Sequence, residues 1–193
     1  MVSTLQQQEE FSASLKSKKF LVWLFVVSST IMFGGWTSYY LVFMASKGKG
    51  HGLVLPEVFT YSTIVLVVSS ICLFLAAKSL KKGNRSRQRV FLWATVALGI
   101  VFGVLQFQGW SSLVQTGAVL TNNNAAISMI YVISGFHLLH IIGGLAFVIN
   151  SLVGSYKGVS QEVAEYKQDI TSIFWHFIDI LWIYLYVFLL LNS

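Results

Sequence analysis

The chain has 193 residues, of which 55% are hydrophobic and only 10% charged, with a mean hydropathy of +0.71. A soluble domain carries about 25% charged residues, so this composition excludes a soluble globular protein and defines a membrane protein. The net charge of +6 does not indicate a nucleic-acid partner. The basic residues sit in short segments between apolar runs, the pattern of topology signals and of contacts with anionic lipid.

Residues 1–19 read as a polar cytoplasmic segment, not a cleavable signal, because Glu9 and Glu10 precede an apolar run too long for a signal core. Residues 20–193 read as a five-helix bundle that completes a single membrane domain, 1–193. Five runs reach the roughly 20 apolar residues needed to cross a bilayer, near 20–45, 57–77, 90–115, 126–153 and 172–192. They are continuous and do not alternate, which favours helices over barrel strands. The expected fold is therefore all-α, a polytopic bundle of five transmembrane helices. Lys16, Lys18, Lys19, Lys78, Lys81, Lys82, Arg85, Arg87, Arg89, Lys157 and Lys167 fall on one side of it, and only Lys47 and Lys49 on the other. The positive-inside rule places the amino terminus in the cytoplasm and the carboxyl terminus outside.

In the first span, Gly34 and Gly35 suit close helix contact, while Trp36, Tyr39 and Tyr40 suit the membrane interface. His51 falls in a glycine-rich connector and reads as a solvated loop histidine. Pro56 and Glu57 open the second helix, where proline and an acid both suit a first turn. Its hydroxyls at Ser62, Thr63, Ser69 and Ser70 are available for bonds to neighbours. Cys72, the lone cysteine, reads as a small buried apolar residue. The basic connector 78–89 reads as a headgroup anchor through Lys81, Lys82, Arg85, Arg87 and Arg89. Gly99 and Gly103 in span three form a small-xxx-small pair. Gln106 reads as a helix-to-helix hydrogen bond, with Trp110 near the outer end. The outer connector at 121–124 is short and uncharged. The inner connector after Gly154, with Glu162, Glu165, Lys167 and Asp169, reads as a short surface helix.

Two stretches carry most of the functional information. Gly135-Phe136-His137-Leu138-Leu139-His140-Ile141-Ile142-Gly143-Gly144 sets two imidazoles three residues apart, so they share a helix face. Glycines flank them and admit a neighbouring helix. Trp175-His176-Phe177-Ile178-Asp179 places a third imidazole and a carboxylate on the last helix, with Trp182 one turn on. Histidines on two helices are a possible haem ligand set, but His176 and the His137/His140 pair lie at different depths. One carboxylate near one edge does not make a transmembrane proton path. The residues read instead as an inter-helix polar network of His137, His140, His176, Asp179 and Gln106, fixing helix register where the hydrophobic effect cannot. Gly135, Gly143 and Gly144 join the packing glycines, and Trp175 and Trp182 join the interface aromatics. Neither catalytic residues nor metal ligands are expected, since nothing resembles a nucleophile elbow, a phosphate loop or paired catalytic carboxylates.

These two motifs resemble the Gly-Phe-His-x-x-His-Val-x-x-Gly and Trp-His-Phe-x-Asp-x-x-Trp signatures of subunit III of haem–copper oxidases, in the same order and about 40 residues apart. Leu55-Pro56 before Ser69-Ser70, and Leu98-Gly99 before Gln106 and Trp110, also fit, so the resemblance covers nearly the whole chain from Phe20. It implies a non-catalytic subunit of a cytochrome c or quinol oxidase that itself binds neither haem nor copper, both being held by partner subunits. The subunit would pack directly on catalytic subunit I, beside subunit II and a small subunit IV, within a complex that reduces oxygen to water and pumps protons. A bound phospholipid and a bacterial inner membrane are implied as well, while membership of a larger respiratory assembly is left open. Three departures stand out. The family's first shared helix carries a glutamate where Ser29 stands, an acid often occupies the place of Gly109, and mitochondrial relatives have seven helices. Two alternatives are an accessory subunit of a nitric oxide reductase and a haem-binding membrane anchor of a quinone oxidoreductase.

Overall fold

A computed structural model describes residues 2–47, 55–121 and 125–192, with side chains of the first helix from 13 to 45. The described elements are five helices: α1 (Val2–Lys47), α2 (Val58–Lys81), α3 (Arg85–Gln115), α4 (Ala125–Tyr156) and α5 (Gln161–Leu191). All five are long and apolar enough to cross a membrane, α1 through Ala13–Ala45. The expectations on Lys49, His51 and residues 122–124 lie outside the described residues.

Three boundaries differ from the hydropathy reading. The polar segment before Phe20 is not a separate element but continues α1. The basic connector shrinks to a turn at 82–84, because its sequence closes one helix and opens the next. Gly83 takes φ +73°, Gly83 N–H donates to Leu80 O at 2.8 Å and Asn84 N–H to Ser79 O at 3.0 Å. This is the double bond pattern by which a left-handed glycine ends a helix. Asn84 Oδ1 then accepts from Arg87 N–H at 3.1 Å and caps α3. The inner connector after Gly154 is likewise short. Gly158 takes φ +64°, Ser160 Oγ caps α5 by accepting from Val163 N–H, and no glycine or proline interrupts the chain from there to Leu191. The mixed-charge segment is therefore not a separate surface helix; it forms the first turns of α5.

α2 packs antiparallel on α3 and α4 on α5; α2 meets α5 and α3 meets α4, closing a four-helix group, and α1 leans on α4 and α5. The main core runs through this group with Phe59, Leu66, Leu73, Phe102, Trp175 and Trp182. A smaller one, Phe33, Ile133, Leu181 and Leu185, joins α1 to α4 and α5. Lipid tails are as apolar as these side chains, so burial alone does little to hold the helices together. Close approach and inter-helix hydrogen bonds must supplement it.

Close approach comes from three glycines. A Cβ on Gly99 would lie 2.8 Å from Leu145 Cδ2 and 3.0 Å from the Trp175 ring; on Gly144, 2.9 Å from Ile178 Cδ1 and 3.0 Å from the same ring; on Gly109, 2.9 Å from the Phe59 ring. Gly99 and Gly144 thus admit the Trp175 indole between α3, α4 and α5. Gly103, Gly135 and Gly143 make ordinary contacts, and Gly34 and Gly35 meet nothing within 4 Å among the described residues.

Candidate functional site

The two histidines of α4 face different neighbours. Three residues of helix turn the side chain by about 300°, which leaves the pair about 60° apart, and in a packed bundle that angle spans two neighbouring helices. His140 points to α1. Its Nδ1 lies 2.7 Å from Phe136 O and its Nε2 3.1 Å from Ser29 Oγ. A carbonyl only accepts, so Nδ1 carries a proton, and in that tautomer of the imidazole Nε2 accepts from the Ser29 hydroxyl. Phe33 and Phe25 flank the ring at centroid distances of 5.3 and 5.5 Å.

His137 points into the four-helix group and is fully buried. Its ring lies 4.8 Å from that of Trp182, tilted by 31°, and meets Phe102 edge-on at 5.8 Å. Neither ring nitrogen has a hydrogen-bond partner among the described residues. The expected network therefore does not join the two α4 imidazoles: one is hydrogen-bonded to α1 and the other is packed between aromatic rings of α3 and α5.

His176 of α5 reaches α2, with Nδ1 2.6 Å from Ser70 Oγ. Asp179, one turn on, interacts with the same Ser70 hydroxyl and with His176. It is buried, and its Oδ1 has no hydrogen-bond partner among the described residues. Gln106 of α3 donates to Ser62 Oγ of α2 at 3.3 Å.

Trp175 and Trp182, expected at the membrane interface, lie wholly in the core. Trp175 Nε1 donates to Ser69 Oγ at 3.1 Å and Trp182 Nε1 to Thr63 Oγ1 at 3.0 Å, so α5 is held to α2 by two indoles as well as by His176. The reason is that a helix able to bury a ring and satisfy its N–H gains more than one presenting it to lipid. Trp110 donates to Ser134 Oγ of α4 at 3.0 Å, and Trp36 packs against Phe136 at 4.6 Å. Tyr40, also expected at the interface, is buried and donates to Asn192 O at 3.1 Å.

Several inter-helix links have no counterpart in the sequence, those through Gln168 and the Thr37–Tyr184 bond at 2.8 Å among them. Gln168 Oε1 accepts from Gln88 Nε2 at 3.0 Å and from Ser151 Oγ at 3.2 Å, tying α3, α4 and α5. Gln88 was hidden in the basic connector because the capped turn that draws it into α3 is a local device, not a hydropathy signal. Gly109, named above only as a departure from the family pattern, shares a buried face with Gly99, Phe102, Gln106 and Leu113 at helical spacing.

The anchoring arginines also separate. Arg85 donates to Val159 O at 2.7 Å. Arg89 donates to Ser155 O at 2.6 Å and Ser155 Oγ at 3.1 Å, and its guanidinium lies 4.5 Å from the Tyr156 ring centroid. Both stitch the start of α3 to the α4–α5 turn, whereas Lys81, Lys82 and Arg87 are exposed.

Among the described residues, no three His, Cys, Asp or Glu side chains are grouped to hold a metal ion. What the fold and these contacts define is a multi-pass membrane protein whose buried polar groups mainly link one helix to another. The family model for cytochrome c oxidase subunit III matches residues 3–193. Cytochrome c oxidase subunit 3 of Damaliscus lunatus is 29% identical over 191 residues, 94% of this chain and 72% of the relative. Cytochrome bo(3) ubiquinol oxidase subunit 3 of Buchnera aphidicola subsp. Baizongia pistaciae is 26% identical over 193 residues, 97% and 98% of the two chains. The chain belongs to the cytochrome c oxidase subunit III family, and is thereby a subunit of the haem–copper oxidase type, with partner subunits implied.

Proposed function

We propose that this chain is subunit III of a bacterial haem–copper terminal oxidase, a non-redox accessory subunit in the inner membrane with its amino terminus in the cytoplasm. In this reading it packs directly on catalytic subunit I, alongside subunit II and a small subunit IV, binds phospholipid, and stabilises a complex that reduces oxygen to water with proton pumping. Haem and copper belong to the partners. The observation that carries the reading is the separate use of the three histidines: His140 with Ser29 of α1, His176 with Ser70 of α2, His137 between Phe102 and Trp182. A bis-imidazole haem site needs two rings turned toward one cofactor, whereas these three are turned toward three different neighbours. The same arrangement suits a subunit whose polar groups hold its own helices in register.

The test is purification of the complex in a gentle detergent, with a visible spectrum and identification of the partners. Co-purification of a copper oxidase, with haem confined to its catalytic subunit, is the expected result. Haem retained by this chain after separation overturns the reading, and a nitric oxide reductase partner moves it to the sister assembly.

A further inference from the structure

At the basic end of the bundle a depression of about 410 Å3 lies between the end of α2 and the start of α3. Lys78, Lys82 and Arg87 line it together with Leu75, Val90 and Phe91. By helix register the apolar residues sit up to one turn deeper in the bundle than the three cations. The turn between the helices sets this arrangement: Lys82, which caps α2, follows Lys78 by four residues, and the Gly83–Asn84 reversal brings Arg87 of α3 to the other side.

These three cations, and Lys81 beside them, differ from the nearby paired cations in what they touch; Lys81 lies outside the depression. Arg85 and Arg89 are half-buried and hydrogen-bonded to the α4–α5 turn. Lys19 pairs with Asp169 at 3.3 Å, and Lys167 donates to Asn150 Oδ1. Lys78, Lys82 and Arg87 are exposed, and among the described residues their charged groups meet no carboxylate or carbonyl. Three like charges around one hollow repel unless an anion sits among them. The hollow opens where two membrane-spanning helices end, which is the level of phosphate groups in a bilayer. A free phosphate would use only the charged rim, whereas Val90, 65% exposed, offers an apolar wall continuing toward the bilayer interior.

We propose that this depression binds an anionic glycerophospholipid, its phosphate held by Lys78, Lys82 and Arg87 and its acyl chains lying over Leu75, Val90 and Phe91. It gives a place and a ligand class to the lipid contact in the function proposed above, and it rests on that reading for the membrane orientation of this end.

The experiment is native mass spectrometry of the full chain with its co-purified partners, titrated with phosphatidylglycerol or phosphatidylcholine. The wild type is expected to prefer phosphatidylglycerol. Each cation near an anionic lipid is worth about fivefold in binding, so K78Q/K82Q/R87Q loses about a hundredfold of that preference. The single variant K82Q loses about fivefold, while K81Q, in the same turn but outside the depression, changes it less than about twofold. Inorganic phosphate at the same concentration leaves the lipid in place. An unchanged preference in the triple variant overturns the site, as does equal loss in K81Q and K82Q, which marks a diffuse field. Displacement by inorganic phosphate, or loss of a polypeptide partner with lipid retained, also overturns it. Lipid retained by the wild type but insensitive to the three cations refutes this site alone. No lipid retained at all refutes the broader lipid reading with it.

Discussion

Ser29 Oγ of α1 lies 3.1 Å from His140 Nε2 of α4. The hydroxyl does locally what one member of an acid–imidazole pair would do, with no charge to bury. Removing it leaves Nε2 of a buried ring without its partner. Inter-helix hydrogen bonds in membranes average about 0.6 kcal/mol and reach about 1.7, so Ser29→Ala lowers stability by about that range. A thermal melt of the detergent-solubilised complex, followed by retention of this chain, measures it. Ser29→Glu places an acid beside His140 and is expected to assemble normally. Failure of that variant to assemble shows that Phe25 and Phe33 have closed the space around the ring.

His137 and His140 are expected to respond oppositely to the same change. His137 is fully buried between Phe102 and Trp182 with unpaired ring nitrogens, so His137→Phe keeps the ring contacts and removes two unsatisfied polar atoms. Replacing an unpaired polar group by an apolar one of similar shape is close to neutral or stabilising. His140→Phe breaks the Ser29 bond and lowers the melting temperature. Equal losses at the two positions would contradict the geometry, and altered haem absorbance in the isolated chain would contradict the proposed function.

Gly144→Ala sets a methyl 2.9 Å from Ile178 Cδ1 and 3.0 Å from the rigid Trp175 ring. Overpacking of this kind costs about 1–3 kcal/mol. Gly99→Ala costs less, since its nearest atom is the flexible end of Leu145. Gly35→Ala meets no described atom and leaves the melt of the isolated chain unchanged. Loss of partner subunits in Gly35→Ala, with that melt intact, would place a docking surface on α1.

Among the basic residues, Arg89→Gln loses two hydrogen bonds and the stacking on Tyr156. It is expected to destabilise the chain by about 1–2 kcal/mol. Lys81→Gln, exposed and outside the depression between α2 and α3, changes the melt by less than about 0.5 kcal/mol. Chemical denaturation in mixed micelles compares the two, and equal effects would show that Arg89 is as free as Lys81.

The five spans are legible along the chain, because length and hydropathy against a bilayer leave little choice. So are the family motifs, since His137, His140, His176 and Asp179 recur at local spacings that need no tertiary information. What those residues touch depends on which helices pack together. In a membrane an apolar side chain is equally at home against lipid or a helix, so hydropathy periodicity does not mark the packed face. For that reason Gly34 and Gly35 read like Gly144, and Trp175 and Trp182 read like interface residues. The roughly 60° that separates His137 from His140 is invisible along the chain. It sends one ring to Trp182 and the other to Ser29, because different helices stand on the two sides of α4.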